Sequence, residues 1–368
     1  MANSGVVDAA ILALPETAGS ALYGMVDVLA ATGTLWRELV GEEPGLPLIR
    51  PRIVSPEERP FRCGNGIPVS PEVTIEHAIE PDVVIVPELW LAPTDDTRDR
   101  HSNVKEWLRR CHESGSMIYS ACSGSVLLAA AGLLDGREAT SHWAYEDLFR
   151  RSFPKVRFNP APNLVIADRT GRIVTAGGTM SWHDLAIHII SRHCSPGEAL
   201  RIAKVYLLKW HAEGQLPYAS LVRRQPHADS VVRAAESWLA AHYREPRAVA
   251  AVVKQCGIPE RSLKRRFSAA TGSTLITHVQ NLRIEEAKRL LENEDSTADD
   301  VATVVGYENP AFFRRVFKRS TGLTPGAYRR MFRPLNAAPK QLFSDRLEQQ
   351  QVRSSSRRLP PSGSSDGL

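Results

Sequence analysis

One pattern occurs twice near the C-terminal end of this 368-residue chain, and it restricts the fold more than any other feature. The first copy runs Gly257-Ile258-Pro259-Glu260-Arg261-Ser262-Leu263-Lys264-Arg265-Arg266-Phe267, with Gly272 five residues on. The second runs Gly306-Tyr307-Glu308-Asn309-Pro310-Ala311-Phe312-Phe313-Arg314-Arg315-Val316-Phe317, with Gly322 five residues on. The offset is 49 residues at the leading glycine and 50 at the trailing one, so the second copy holds one extra residue in its turn. Each copy reads as helix, glycine turn, helix. Val249–Gln255 and Ala298–Val305 are the leading helices, and Gly257 and Gly306 stand where a left-handed residue lets the chain turn sharply. The following helices are expected to bury Leu263 and Phe267 in one copy, Phe312, Val316 and Phe317 in the other, and to expose arginines. That is a helix-turn-helix, whose second helix fits a major groove about 12 Å wide. Two of them on a shared helix, Ile276–Glu292, would read groove faces one turn, ~34 Å, apart. A lone pattern of this kind is weak, since ordinary αα-corners mimic it; a duplicated one is specific.

Charge marks off the same segment. Residues 1–230 carry 23 Lys/Arg against 27 Asp/Glu, whereas residues 231–333 carry 18 against 11, within a whole-chain net of +5. A mildly acidic body joined to a compact basic module suits a polyanion partner, although a basic surface can also be merely solvated. Apolar residues at 43% and charged residues at 24% exclude wholesale disorder. No run is long enough for a membrane span, and no export signal opens the chain. Cys63, Cys111, Cys122, Cys194 and Cys256 are odd in number and never CxxC-spaced, which fits a reducing cytoplasm and no disulfide framework. No metal site is expected: His183, His188 and His193 share a helix, but i,i+5 spacing turns them off a common face.

The first two-thirds alternates β-rich runs with helical stretches. Val6–Leu14, Asp82–Val86 and Met117–Ala121 read as strands, and Ala21–Ala31, Val104–Cys111 and Val126–Leu134 as helices. Leu164–Ala167 and Ile173–Ala176 read as a hairpin. Strands spaced by helices imply a mostly parallel α/β sheet covered on both faces. Met180–His193 closes this domain, Ala199–His211 is helical, and Gly214–Pro226 reads as a linker. The expected boundaries are 1–212, a linker over 213–227, a helical module over 228–333, and a disordered tail over 334–368.

Gly257 through Gly272, Leu282 through Leu291, and Val304 through Arg330 resemble the AraC/XylS-type transcription regulators. By matching position, Arg261, Ser262 and Arg265 in the first recognition helix, and Ala311, Arg314 and Arg315 in the second, face base edges or nearby phosphates. An arginine bonded to guanine O6 and N7 together discriminates by ~1–3 kcal/mol. A phosphate contact or an ion pair within the protein is the alternative for each, most of all for Arg266 and Arg314. The small Ala311 leaves more base specificity to the first helix. The resemblance implies a double-stranded DNA operator, RNA polymerase, a small-molecule effector and a second copy of the chain as partners. It implies activation more often than repression, effectors such as amines, amino acids or quaternary ammonium compounds, and neither cofactor nor membrane.

Met117 through Leu127 reads as strand, sharp turn and helix, with Cys122 at the turn. Such an elbow sets a thiol beside a helix N-terminus, which lowers its pKa and offers amide donors to an oxyanion. His142 is a candidate base, so the two form a candidate nucleophile site. Ala121–Thr140, His142-Trp143 and Thr175–Leu185 resemble the PfpI-type, class I glutamine-amidotransferase-like domain, closest to the branch shared by GlxA-type regulators and isonitrile hydratases. The resemblance implies a flavodoxin-like sandwich, here followed by an all-α domain with two helix-turn-helix motifs. It also implies an effector pocket framed by Cys122, Ser123, His142, Gly177 and Gly178. Enzymes of this superfamily set an acid beside the cysteine from the turn after the first strand. Here that position is Ala21, and Glu16 falls five residues early. Without a carboxylate the proton shuttling of a hydratase lacks its best candidate, so the chain is expected not to be an enzyme. Three readings of Cys122 stand: a vestigial elbow lining the effector pocket, an oxidisable sensor, or the nucleophile of a hydratase or amidase that carries a DNA-binding module.

Overall fold

Buried parallel strands organise the first half of the chain. The structure, a computed structural model, describes residues 5–43, 45–78, 80–95, 100–222 and 227–333, so the tail read as disordered lies outside the described residues. The chain divides into two units, Met1–Ala219 and Ser220–Leu368.

The first unit holds a seven-stranded sheet of β1 (Val7–Leu12), β2 (Ile49–Ser55), β3 (Val73–Thr74), β4 (Val83–Val86), β5 (Met117–Ala121), β6 (Leu164–Ile166) and β7 (Ile173–Ala176). Their order is β6-β7-β5-β4-β1-β2-β3, parallel throughout except for β6 against β7. Every residue of β4 and β7 is buried, which is why both read as unbroken apolar runs. The strand period of two sends Ala10 and Leu12 into one core cluster and Ala9 and Ile11 into the other. Helices α2 (Ser102–Ser114) and α3 (Gly124–Ala130) cover the first cluster; α1 (Gly19–Ala30), α4 (Trp182–His193) and α5 (Pro196–Val205) cover the second. The winding reverses between β1 and β4, so the carboxyl ends of the central strands border the crevice where sheets of this topology take ligands.

Three expectations shift here. The helix read over Ala199–His211 runs over Pro196–Val205: Ser195 caps it, Pro196 starts it, and Leu207 at φ 54° leads the chain away. The segment read as linker packs onto this unit as far as Ala219, with Gln215 only 3% exposed. His188 and His193, read as turned off a common face, both stand edge-on to the Tyr119 ring, at centroid distances of 6.0 and 5.9 Å.

The second unit contains α6 (Ser230–His242), α7 (Ala248–Cys256), α8 (Glu260–Thr271), α9 (Leu275–Asn293), α10 (Ala298–Val304) and α11 (Pro310–Thr321), and residues 325–333 are helical. α9 serves both helix-turn-helix motifs. Its Leu275 and Val279 pack with Val252, Leu263 and Phe267, while its Ile284, Ala287 and Leu291 pack with Val301, Phe313 and Phe317. Phe312, expected in the core, is 42% exposed, and Phe313 is buried in its place. The longer second turn ends at Asn309, which caps α11 by accepting from the Phe312 amide at 2.9 Å. From that start the i, i+3, i+4 face comprises Phe313, Val316 and Phe317.

Gly257 and Gly306 make the turns at φ 64° and 90°. A Cβ on Gly306 would lie 2.4 Å from the Arg244 carbonyl oxygen, whereas one on Gly257 would meet nothing within 4 Å. Gly306→Ala is therefore expected to destabilise the second unit by ~2–4 kcal/mol, and Gly257→Ala by ~1 kcal/mol. Chemical denaturation of the two variants tests this; equal losses would contradict the packing argument.

Candidate functional site

Cys122 leaves β5 at φ 52°, a conformation uncommon for any residue but glycine. Its carbonyl accepts the Ser125 and Ser141 hydroxyls at 2.9 and 2.7 Å. Two residues on, Gly124 passes so close to β4 that a Cβ would lie 2.3 Å from the Val86 carbonyl oxygen. Ser123 then clasps the turn after β4: its hydroxyl donates to the Leu89 carbonyl at 2.5 Å and accepts from the Leu89 amide at 2.9 Å. The result is a sealed thiol, 1% exposed. Burial, and then the nearby Glu88, push the thiol up to about 12. The lowering expected from the helix N-terminus does not prevail, because desolvation outweighs the dipole of a seven-residue helix.

The expectation that no carboxylate stands beside the cysteine is overturned. The thiol donates to Glu88 Oε1 at 3.7 Å, and the Thr179 hydroxyl donates to the same oxygen at 3.1 Å. The acid arrives from the turn after β4 instead of the turn after β1. Ala21 packs in the core cluster on the opposite side of the sheet from Cys122, and Glu16 pairs with His101 Nε2 at 3.3 Å. Burial raises the Glu88 carboxyl above its ordinary range, against the pull of the two hydrogen bonds it accepts.

The open space lies to one side of the elbow. A cavity of about 400 Å³ is walled by His142, Trp143, Gly178, Met180, Gln215 and Tyr218, among others. Of the five residues expected to frame a pocket, His142 and Gly178 line it; Cys122, Ser123 and Gly177 do not. His142 Nδ1 accepts from the Ala144 amide at 3.1 Å, which fixes the ring. Asp184, 1% exposed, braces another wall by accepting Asn163 Nδ2 at 2.6 Å and the His211 amide at 2.8 Å. Gln215 Nε2 donates to Ser141 O, Pro162 O and Thr140 Oγ1 at 3.0–3.1 Å, while its Oε1 is buried with no partner among the described residues. This fit needs Gly177, where a Cβ would lie 2.2 Å from Gln215 Nε2. Sequence reasoning missed both Glu88 and Gln215. Glu88 was signalled by its place at a strand's carboxyl end; nothing local signalled Gln215.

The second unit sorts its arginines. Arg261 and Arg265 are exposed on α8 and form no ion pair among the described residues, and Ser262 beside them is half-buried. Arg266 instead grips Asp229, the cap of α6, through two hydrogen bonds of 2.8 and 2.7 Å. On α11, Ala311 is exposed, Arg314 pairs with Asp299, and Arg315 lies over the Phe312 ring at 5.7 Å.

Residues 34–192 match the DJ-1/PfpI family, and residues 252–331 match the helix-turn-helix domain family. The chain belongs to the HTH-type transcriptional regulators that join a DJ-1/PfpI domain to an AraC-type helix-turn-helix domain, and it is a DNA-binding regulator. It is 30% identical over 241 residues to the HTH-type transcriptional regulator GlxA of Rhizobium meliloti, covering 65% of this chain and 72% of that one. It is 26% identical over 291 residues to the regulator CdhR of Pseudomonas aeruginosa, covering 79% and 84%. Over 177 residues it is also 29% identical to the isonitrile hydratase of Pseudomonas putida, covering 48% and 67%. No helix among the described residues is long and apolar enough to cross a membrane.

Glu88 titrates above the value of an unfolded chain, so folding favours its protonated form. The stability it contributes is complete below the ordinary carboxylate range and is lost as pH rises through the raised value. Glu88→Gln is therefore expected to melt higher than the parent at about pH 8 and to lose that advantage at about pH 4. A difference that is constant over this range would show that the carboxylate is not strained.

Proposed function

We propose that this regulator reads its operator as a homodimer in the cytoplasm and activates transcription through RNA polymerase, with a small molecule in the first unit's cavity setting the response. Arg261, Ser262 and Arg265 of α8 and Ala311 and Arg315 of α11 face the DNA. Arg314 has its charge already met by Asp299. One observation carries the reading: Arg261 and Arg265 stand one helical turn apart on the exposed face, without an acidic partner among the described residues, opposite the buried Leu263 and Phe267.

The effector site is the cavity beside His142 and Gly178, not the sealed elbow. Effectors of the amine, amino-acid or quaternary-ammonium type follow from the family resemblance. The second reading, a cysteine enzyme like the isonitrile hydratase relative, draws on the Glu88 carboxylate at 3.7 Å from the thiol. Against it, a thiol held near 12 is almost wholly protonated at neutral pH, and the Leu89 turn closes the way in. We therefore propose no catalysis.

Arg265→Ala is expected to cost ~1–3 kcal/mol on the selected operator and to relax specificity at one position. Arg266→Ala should lower thermal stability instead, since it frees Asp229. Fluorescence anisotropy at fixed salt and thermal melting separate the two; a uniform loss on all sequences for Arg265→Ala would make it a phosphate contact.

Gly178 adopts φ −58°, and a Cβ there would sit 3.7 Å or more from its neighbours. Gly178→Val is thus expected to fold, to bind the operator, and to lose the effector response by filling the cavity. Cys122→Ser should keep that response. The opposite pattern in a reporter assay would return the working site to the thiol.

A further inference from the structure

Leu263 and Phe313 occupy the same place in the two recognition helices: both are fully buried, 50 residues apart, and Phe267 and Phe317 repeat the match. The same offset sets Ala311 against Arg261, Phe312 against Ser262, and Arg315 against Arg265. The outward face that is Arg-Ser-Arg in the first helix is therefore Ala-Phe-Arg in the second. A phenylalanine that is 42% exposed beside a fully buried one is not serving the core. Its backbone amide is fixed by Asn309 at the helix start, and its ring carries the Arg315 guanidinium at 5.7 Å. The N-terminal residues of a recognition helix are the ones that reach base edges.

We infer that Phe312, with Ala311 beside it, reads the 5-methyl group of thymine in the half of the operator that α11 enters. Thymine is the base that offers an apolar group in the major groove, and phenylalanine and alanine are side chains that meet it. The ring buries its exposed edge on the methyl, and Arg315, held over the ring, is aimed at the neighbouring guanine or phosphate. The second motif then specifies sequence by an apolar contact where the first uses hydrogen bonds. This rests on the operator reading above.

The test uses the full chain and an operator selected from genomic fragments, with each thymine replaced singly by deoxyuridine. That exchange removes the methyl and leaves the pairing and every phosphate in place. At one or two positions the parent is expected to bind about fourfold more weakly, the equivalent of one buried methyl. Phe312→Ala should bind the dT and dU forms of those positions equally, Phe312→Leu should keep part of the preference, and both should melt within a degree or two of the parent. A selected operator whose dU forms all bind like the original overturns the assignment. So does a preference that survives Phe312→Ala, or a large fall in melting temperature, which would make Phe312 a packing residue. Failure to select any operator would instead count against sequence-specific reading as a whole.

Discussion

The first unit turns on a single serine. Ser123 spends both its donor and its acceptor on the backbone of Leu89, and that reciprocal pair fixes the turn after β4 over the elbow after β5. Gly124 permits the approach, since any side chain there would strike the carbonyls of Val86 and Pro87. Two consequences follow from the same clasp. The thiol loses contact with water, so its neutral form is strongly favoured. Glu88, carried on the clasped turn, comes to rest against it and is itself lifted toward the protonated state. A cysteine and an acid thus stand together under conditions that favour a neutral hydrogen-bonded pair over a nucleophile and its proton acceptor. The accessible volume lies beside this elbow, at the end of β7, where Gly178, Thr179 and Met180 line it.

A comparable division separates cations that hold the second unit together from cations left exposed on α8. Arg266 ties α8 to the cap of α6, and Arg314 ties α11 to α10 through Asp299. Each of these arginines fixes the pose of a recognition helix, while Arg261 and Arg265 form no ion pair among the described residues on the exposed face. The shared helix α9 gives the two motifs a common core element, so their spacing is set by buried apolar packing and not by surface charge. Exposed ion pairs are worth little in water, so Arg314 contributes orientation more than stability, whereas Arg266 also holds the cap of α6 through its two hydrogen bonds.

The elements legible in the sequence were those written in local code. The strands β4 and β7 showed as unbroken apolar runs, and the helix-turn-helix copies showed as glycine, helix face and glycine at fixed spacing. What stayed hidden depended on contacts distant along the chain. Glu88 meets Cys122 across 34 residues, and a search confined to the turn after β1 had no reason to include it. Gln215 sits in a Gly- and Pro-containing stretch that reads as a linker; its burial is decided by the missing side chain of Gly177, on another element. Phe312 and Phe313 differ by one position, and the extra residue in the second turn rotates the helix frame by ~100°, enough to exchange the buried phenylalanine for the exposed one.

The cavity and the end of the first unit are built from one piece of chain. Gly214, Gln215 and Tyr218 line the cavity, and the unit ends at Ala219. Gln215 anchors that piece through its two amide protons, shared among Thr140, Ser141 and Pro162, at a net worth of ~0.5–1.5 kcal/mol per proton donated. An occupant that releases or strengthens this anchorage changes the docking equilibrium of the segment by ~1–3 kcal/mol, a factor of ~5 to ~150. Driving a two-state protein from 1:99 to 99:1 takes ~5.5 kcal/mol. A switch built on this anchorage is therefore graded: the segment is held firmly enough to define a resting state and loosely enough for a small molecule to bias it.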